Sequence, residues 1–178
     1  MEYLDLKKYI DSNEIDDILS KIKGTNDLTL EKQRYQKLLD ETYEEYGQGD
    51  YHLISSPGRS EIGGNHTDHQ HGNVLACGLN MDNIAVFKAN DENIVRYRDG
   101  DFKIKDVDLS NLNIRQEEIN TSEALIRGIA SRLNELGYKD GGFDALCISE
   151  VLVGSGISSS ACFEMMVVEI FNHLYKNG

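Results

Sequence analysis

The chain has 178 residues, 39% of them hydrophobic and 28% charged, with 31 acidic against 18 basic side chains and a formal net charge of −13. That length supports one domain with a hydrophobic core, and that composition excludes a disordered chain. An acidic balance with no Lys/Arg stripe excludes a duplex nucleic-acid binder, and no apolar run approaches the ~20 residues a membrane helix needs. The N-terminus, MEYLDLKKYIDSNEIDD, lacks the basic start and apolar centre of a secretory signal, so a cytoplasmic location is expected. Cys77, Cys147 and Cys162 are odd in number and widely spaced, which argues against a disulfide framework or a thiolate zinc site. Cys147 and Cys162 lie in apolar surroundings and are expected to be buried.

Residues 1–50 read as helical. Ser12 is placed to cap a helix carrying Ile15, Ile18, Leu19 and Ile22, which Gly24 ends. A second helix is predicted from Thr29 to Tyr46, with Tyr35, Leu38, Leu39, Thr42 and Tyr46 on one face and Gly47 as its stop. The pattern changes at Gly49. The runs YHLISS, VLACGLN, NIAVFKA, NIVRYRD and FKIKDVD predict four to six strands, with hairpins between about residues 72 and 106 and a turn at Gly100. Asn120 and Glu123 have the spacing of a capping box, ahead of a helix whose face is Leu125, Ile126, Ile129, Leu133 and Leu136. GGFDALCISEVLV reads as a buried strand. It leads through GSGISSSA into a last helix, from about Ser159 to Lys176, with Phe163, Met166, Val167, Ile170 and Leu174 facing the core. The chain therefore divides into a helical extension, 1–48, and a domain from 49 to 178. The last helix ends the sequence with nothing after it to cover it, as a cut through a larger protein would leave it.

Two segments carry chemistry. The first is SPGRSEIGGNHTDHQHG, residues 56–72. So many hydrogen-bonding groups cannot fill a core. Arg59 offers a fixed fork of donors, His66 a switchable donor/acceptor and Asp68 a pair of acceptors, a mixture that suits a polyhydroxylated sugar. Two other readings stay open. The segment could be a solvated polar loop, or His66, His69, His71 and Asp68 could bind zinc, although the glycines deny these residues helical spacing. The second segment is VGSGISSSA, residues 153–161, at a strand-to-helix turn. Small residues there leave the first helical N–H groups pointing outward as an anion nest, reinforced by the helix dipole. The hydroxyls of Ser159 and Ser160 could also reach a magnesium ion. Neither G-x-x-x-x-G-K-[ST] nor G-x-G-x-x-G is present, and a simple serine-capped helix is the alternative.

In this order the two segments resemble the galactokinase family of the GHMP kinase superfamily. GRSEIGGNHTDHQHGNVLACGLN is similar to that family's G-R-x-N-L-I-G-E-H-x-D-Y and the apolar strand after it. LVGSGISSSA is similar to its P-x-G-x-G-L-S-S-S-A. The helix ALIRGIASRL and the strand GFDALCISEV stand where the family has theirs, so the likeness covers about residues 51–176. It implies an α/β (α+β) fold, the GHMP kinase N-terminal domain, related to ribosomal protein S5 domain 2, with a mixed sheet packed by helices. It implies MgATP and galactose as ligands and phosphoryl transfer to the anomeric hydroxyl. Arg59 would lie near that hydroxyl and the transferring group, as a catalytic residue. Asn65, His66 and Asp68 would stand at the sugar. Gly154, Ser155, Gly156, Ser158, Ser159 and Ser160 would line the ATP phosphates, with Ser160 nearest Mg2+.

Some positions depart from the family pattern. Glu61 stands for the usual Asn, Gly63 for an apolar residue, Asn65 for Glu, His69 for Tyr and Leu152 for Pro. Asn65 matters most, because exchanging a carboxylate for an amide changes which hydroxyls can be paired. The family's catalytic aspartate lies in a later segment, and a further glycine-rich motif closes the site from a C-terminal domain; neither is among these residues. The 178 residues alone are accordingly expected to be inactive or nearly so. A kinase for another acceptor, or a sugar/ATP sensor without turnover, are the rival readings.

Overall fold

A computed structural model describes residues 1–64, 67, 70–100, 102–139, 141–151 and 156–176. Three helices come first: α1 (Tyr3–Asp11), α2 (Asp16–Lys23) and α3 (Thr29–Tyr46). Strands β1 (His52–Gly63), β2 (Leu75–Ala89), β3 (Ile94–Asp99), β4 (Phe102–Lys103) and β5 (Val107–Asp108) follow. Then come α4 (Ser122–Glu135), β6 (Phe143–Ser149) and α5 (Ser159–Phe171), which runs into a π-helical turn, Asn172–Lys176. No helix among the described residues is long and apolar enough to cross a membrane.

The sheet order is β1-β2-β6-β3, with β4 and β5 both pairing with β3. All pairs are antiparallel except β3 with β6. Strand alternation divides the central strands between two layers. Ile84 and Val86 of β2 join Leu6, Ile10, Leu19, Leu38 and Leu39 of α1–α3 in one core. Ala85 and Phe87 of β2, with Phe143, Ala145 and Cys147 of β6, join Ile126 and Ala130 of α4 and Met166, Val167 and Ile170 of α5 in the other. Burial on both faces explains why NIAVFKA and DALCIS read as nearly continuous apolar runs. Each large side chain so buried contributes about 1.5–3 kcal/mol.

Four expectations need correction. VLACGLN and NIAVFKA are one strand, β2, because its outer part pairs with β1 as far as Gly63. β2 and β3 form no hairpin, since β6 lies between them. Gly142 occupies the gap at their turn: its carbonyl accepts from Asn90 N–H at 3.0 Å, and an added Cβ would come within 2.5 Å of the Ile94 nitrogen. Ser12 closes α1 rather than capping α2: its N–H bonds to the Lys8 and Tyr9 carbonyls. The residue capping α4 is Thr121, whose hydroxyl accepts from Ala124 N–H at 3.3 Å. Asn120 sits in the left-handed region at φ 65°, and Glu123 turns away to accept from Lys105 N–H at 3.0 Å. α3 does span Thr29–Tyr46, stopped by Gly47 at φ 69°, and Cys147 and Cys162 are buried.

Candidate functional site

The first chemical segment begins as strand, not loop. β1 carries Ser56, Pro57, Gly58 and Arg59 against β2, but the ladder is irregular there. Pro57 opposes Asp82 while Arg59 already opposes Gly78, so β2 holds extra residues at this point. Such an irregularity bends a strand and re-aims its side chains. Gly58 sits at the bend. A Cβ on it would lie 3.3 Å from the Ile157 carbonyl oxygen and 3.4 Å from that of Met81, which is tighter than ordinary contact. Glycine is thus required by close backbone approach, and the approach is used: Arg59 N–H donates to the Ile157 carbonyl at 3.0 Å.

The second segment meets the first through a further pair of bonds. Ser56 Oγ donates to the Cys162 carbonyl at 3.1 Å, and Cys162 Sγ donates to the Ser56 carbonyl at 3.2 Å. Burial pushes the Cys162 thiol pKa up, so it remains a neutral donor. These contacts fix the start of α5 beside Arg59. Gly156 at φ 78° and Ser158 at φ 65° turn the chain into the helix, and Ser158 makes no side-chain cap. The first turn of α5 thus keeps donor groups that a capping side chain would otherwise satisfy.

Two clefts flank this helix start. One, of about 330 Å³, lies between β1 and α5 and includes Ser55, Pro57, Arg59, Ser158 and Met165. The other, of about 240 Å³, lies on the far side, where Ser159 and Ser160 face Asn83, Tyr97, Asp99, Ile104, Leu125 and Phe163. Its floor is polar. Asn83 donates through Nδ2 to the Tyr97 hydroxyl at 3.3 Å, and its Oδ1 is buried without a hydrogen-bond partner among the described residues. Burial raises the pKa of the Asp99 carboxyl, against one backbone bond from Ser149 that lowers it. It also holds the Tyr97 phenol well above its ordinary value. Ser160 Oγ donates to Glu164 at 3.1 Å, within the first turn of α5.

Of the residues singled out in the sequence, Arg59, Gly156, Ser158, Ser159 and Ser160 therefore come together around one helix end. Asn65, His66, Asp68, Gly154 and Ser155 lie outside the described residues, as does His69. Among the described residues no group of three His, Cys, Asp or Glu side chains could hold a metal ion. The sequence reading missed Asn83, Tyr97 and Asp99. Their signal is faint: each stands on the strand parity that faces α5, where Ala85 and Phe87 are apolar.

Residues 41–89 match the galactokinase galactose-binding signature. The galactokinase of Clostridium tetani is 29% identical over 133 residues, covering 75% of this chain and 34% of the relative. That of Streptococcus thermophilus is 30% identical over 143 residues, covering 78% and 36%. The chain thus spans about a third of the length of these relatives. Among solved structures, Lactococcus lactis galactokinase, determined with galactose, matches with a TM-score of 0.70 at 24% identity, over 79% of this chain and 37% of that one. Methanococcus jannaschii mevalonate kinase matches with a TM-score of 0.56 at 16% identity, over 70% and 40%. The fold is that of GHMP kinase N-terminal domains, and the chain corresponds to the N-terminal portion of galactokinases within that superfamily.

Proposed function

We propose that this chain, through residues 49–178, supplies the sugar-binding and ATP-phosphate-binding part of a galactokinase, which transfers the γ-phosphoryl group of ATP to the anomeric hydroxyl of galactose. The observation that carries the reading is the direct joining of the two chemical segments by the Arg59 N–H bond to Ile157, 3.0 Å long. Phosphoryl transfer depends mainly on positioning and on charge stabilisation. One backbone hydrogen bond between the sugar segment and the phosphate turn is what such positioning requires.

In this reading galactose occupies the cleft beside Arg59, with Asn65, His66 and Asp68 pairing its hydroxyls. The purine end of ATP suits the second cleft, whose apolar walls Ile104, Leu125 and Phe163 surround the polar groups of Asn83, Tyr97 and Asp99. The triphosphate then crosses the start of α5. Gly154, Ser155, Gly156, Ser158 and Ser159 offer backbone and hydroxyl donors there, and the helix dipole favours the negative charge. Ser160, next to Glu164, would hold Mg2+, which neutralises phosphate charge when bound. The Arg59 guanidinium stabilises charge developing on the transferring group. The base for the sugar hydroxyl would come from a later segment outside these 178 residues, so these residues alone bind ligand with little or no turnover. Such a chain would act in the cytoplasm.

The test is titration of the chain with galactose and with MgATP by calorimetry, together with ADP release by its complete reading frame over galactose, galactosamine, galacturonate, glucose, arabinose, mevalonate and homoserine. Turnover on galactose is expected. Turnover only on another acceptor would reject galactose and place the change at Asn65. Binding without any ADP release would identify a sensor.

A further inference from the structure

The N-terminal helices contain neither chemical segment, yet two of their cations reach the sheet directly behind both. Lys23, the last residue of α2, is buried. Its Nζ donates to Asp82 Oδ1 at 2.7 Å, to Glu150 Oε2 at 3.0 Å and to the Asn80 carbonyl at 3.2 Å. Arg34 of α3 donates from Nη1 to Asp82 Oδ1 at 2.6 Å, and from Nη2 to the carbonyls of Asp82 at 3.1 Å and Ile148 at 3.0 Å. Asp82 is fully buried, and its other oxygen accepts from Ser55 Oγ at 2.6 Å.

The position of this cluster matters more than its charge. The β2–β6 ladder ends at Asn83↔Ser149. Beyond it, Glu150 N–H donates to the Asp82 carbonyl at 2.9 Å, and Arg34 adds a bond to that carbonyl and one to the carbonyl of Ile148, near the ladder's end. On its other side Asp82 opposes Pro57, the last pair before the irregularity that delivers Gly58 and Arg59. Glu150 and Val151 lead directly into the serine-rich turn. Asp82 therefore stands at the roots of both segments: its carboxylate accepts from Ser55, its carbonyl accepts from Glu150 N–H, and Lys23 bridges it to the Glu150 carboxylate. Burying charges costs more than burying apolar groups of like size, so adhesion of helices to a sheet does not call for them. What a forked, directional network adds is fixed geometry.

We infer that Lys23 and Arg34 are positioning residues of the candidate site: by holding Asp82 they set the β1 irregularity that presents Arg59 and the β6 exit that launches the serine-rich turn. The ligand half of this statement rests on the galactokinase reading; the geometric half does not.

The test uses the 178-residue chain with Lys23→Met, Arg34→Met and the charge-keeping Arg34→Lys. Leu19→Ala, in the same helical core but outside the network, is the control. Three readouts are taken: urea unfolding, amide hydrogen exchange at Arg59 and Glu150, and calorimetric affinity for galactose and MgATP. Arg34→Lys keeps the charge but loses the fork. It is expected to speed exchange at both amides at least about tenfold beyond its loss of global stability, and to weaken galactose binding by about tenfold or more. Leu19→Ala is expected to change exchange only as far as its stability falls. If Arg34→Met fails to fold, Arg34→Lys and Lys23→Met decide. Exchange at both amides within about twofold of that expected from global stability overturns the inference. So does unchanged galactose affinity in a variant whose amides have loosened. If the unaltered chain binds neither galactose nor MgATP, the galactokinase reading fails, and the exchange rates alone decide the positioning role.

Discussion

The β1–β2 pair has two halves built on different principles. From His52 to Pro57, opposite Asp82 to Phe87, the ribbon lies between two helical layers, and Ile84, Ala85, Val86 and Phe87 are all essentially inaccessible. From Arg59 to Gly63, opposite Leu75 to Gly78, the ribbon opens to solvent: Leu75 to Gly78 of β2 are all exposed, Leu75 at 62%, and Ile62 of β1 is 66% accessible. The inner half holds the fold. The outer half buries little and carries most of the polar, glycine-rich segment 56–72, whereas the match to the galactose-binding signature, residues 41–89, takes in both halves. A site on a thin ribbon can be aimed only from its root, which is where the irregularity at Gly58 and the buried Asp82 are found.

That contrast can be broken directly. Phe87→Ala should cost about 3–5 kcal/mol in urea unfolding, by the cavity it leaves between β2 and the α5 layer. Leu75→Ala, twelve positions away on the same strand, should stay within about 0.5 kcal/mol. Similar losses at the two positions would mean that the outer ribbon is packed in solution and that the contrast is wrong. Gly58→Ala tests the joint between the halves. The added methyl meets backbone oxygens rather than a yielding side chain, so about 1–3 kcal/mol should be lost. Galactose affinity should fall further than that loss explains, because the Arg59–Ile157 bond opens. Unchanged binding by a folded Gly58→Ala chain would show that the joint does not aim Arg59.

Much of the inner half was legible in the sequence. Helical spacing gave α3 its end residues and its buried face, Tyr35, Leu38, Leu39 and Thr42, because an amphipathic helix writes its environment into its period. The Met166, Val167 and Ile170 face of α5 was readable for the same reason. In the outer half VLACGLN read as strand, but its partner did not, since Gly58 to Gly63 is polar and glycine-rich and has no alternation to mark it as strand. Nor was the second cleft. Asn83 stands on β2 and Tyr97 and Asp99 on β3, and the two strands are brought to one cleft only by the β2-β6-β3 order. The buried ion cluster was equally hidden, because Lys23 and Arg34 look like any surface cations in a charged helix.

A smaller effect sharpens the account of local structure. Thr121→Ala should cost about 1 kcal/mol by removing the cap on Ala124 N–H, while Thr121→Ser should be nearly neutral. Loss with both variants would mean that the threonine methyl, not its oxygen, is what α4 needs.

The smallest expected effect separates buried Asp82 from half-buried Asp99. Salt bridges and hydrogen bonds from Lys23, Ser55 and Arg34 outweigh burial at Asp82 and lower its pKa, so its contribution to stability is present above the unfolded value of about 3.9 and is lost as pH falls below it. Asp99 has the opposite sign. Burial raises its folded pKa, so the folded chain takes up that proton before the unfolded chain does, and stability from this group rises as pH falls toward its folded pKa from above. Asp99→Asn should therefore stabilise the chain slightly at pH 7, and its advantage should shrink as pH is lowered toward about 4. Urea midpoints of the two proteins between pH 7 and 4 measure this. An Asp99→Asn chain that is less stable at pH 7 would mean that partners in the second cleft hold the carboxylate and outweigh its burial.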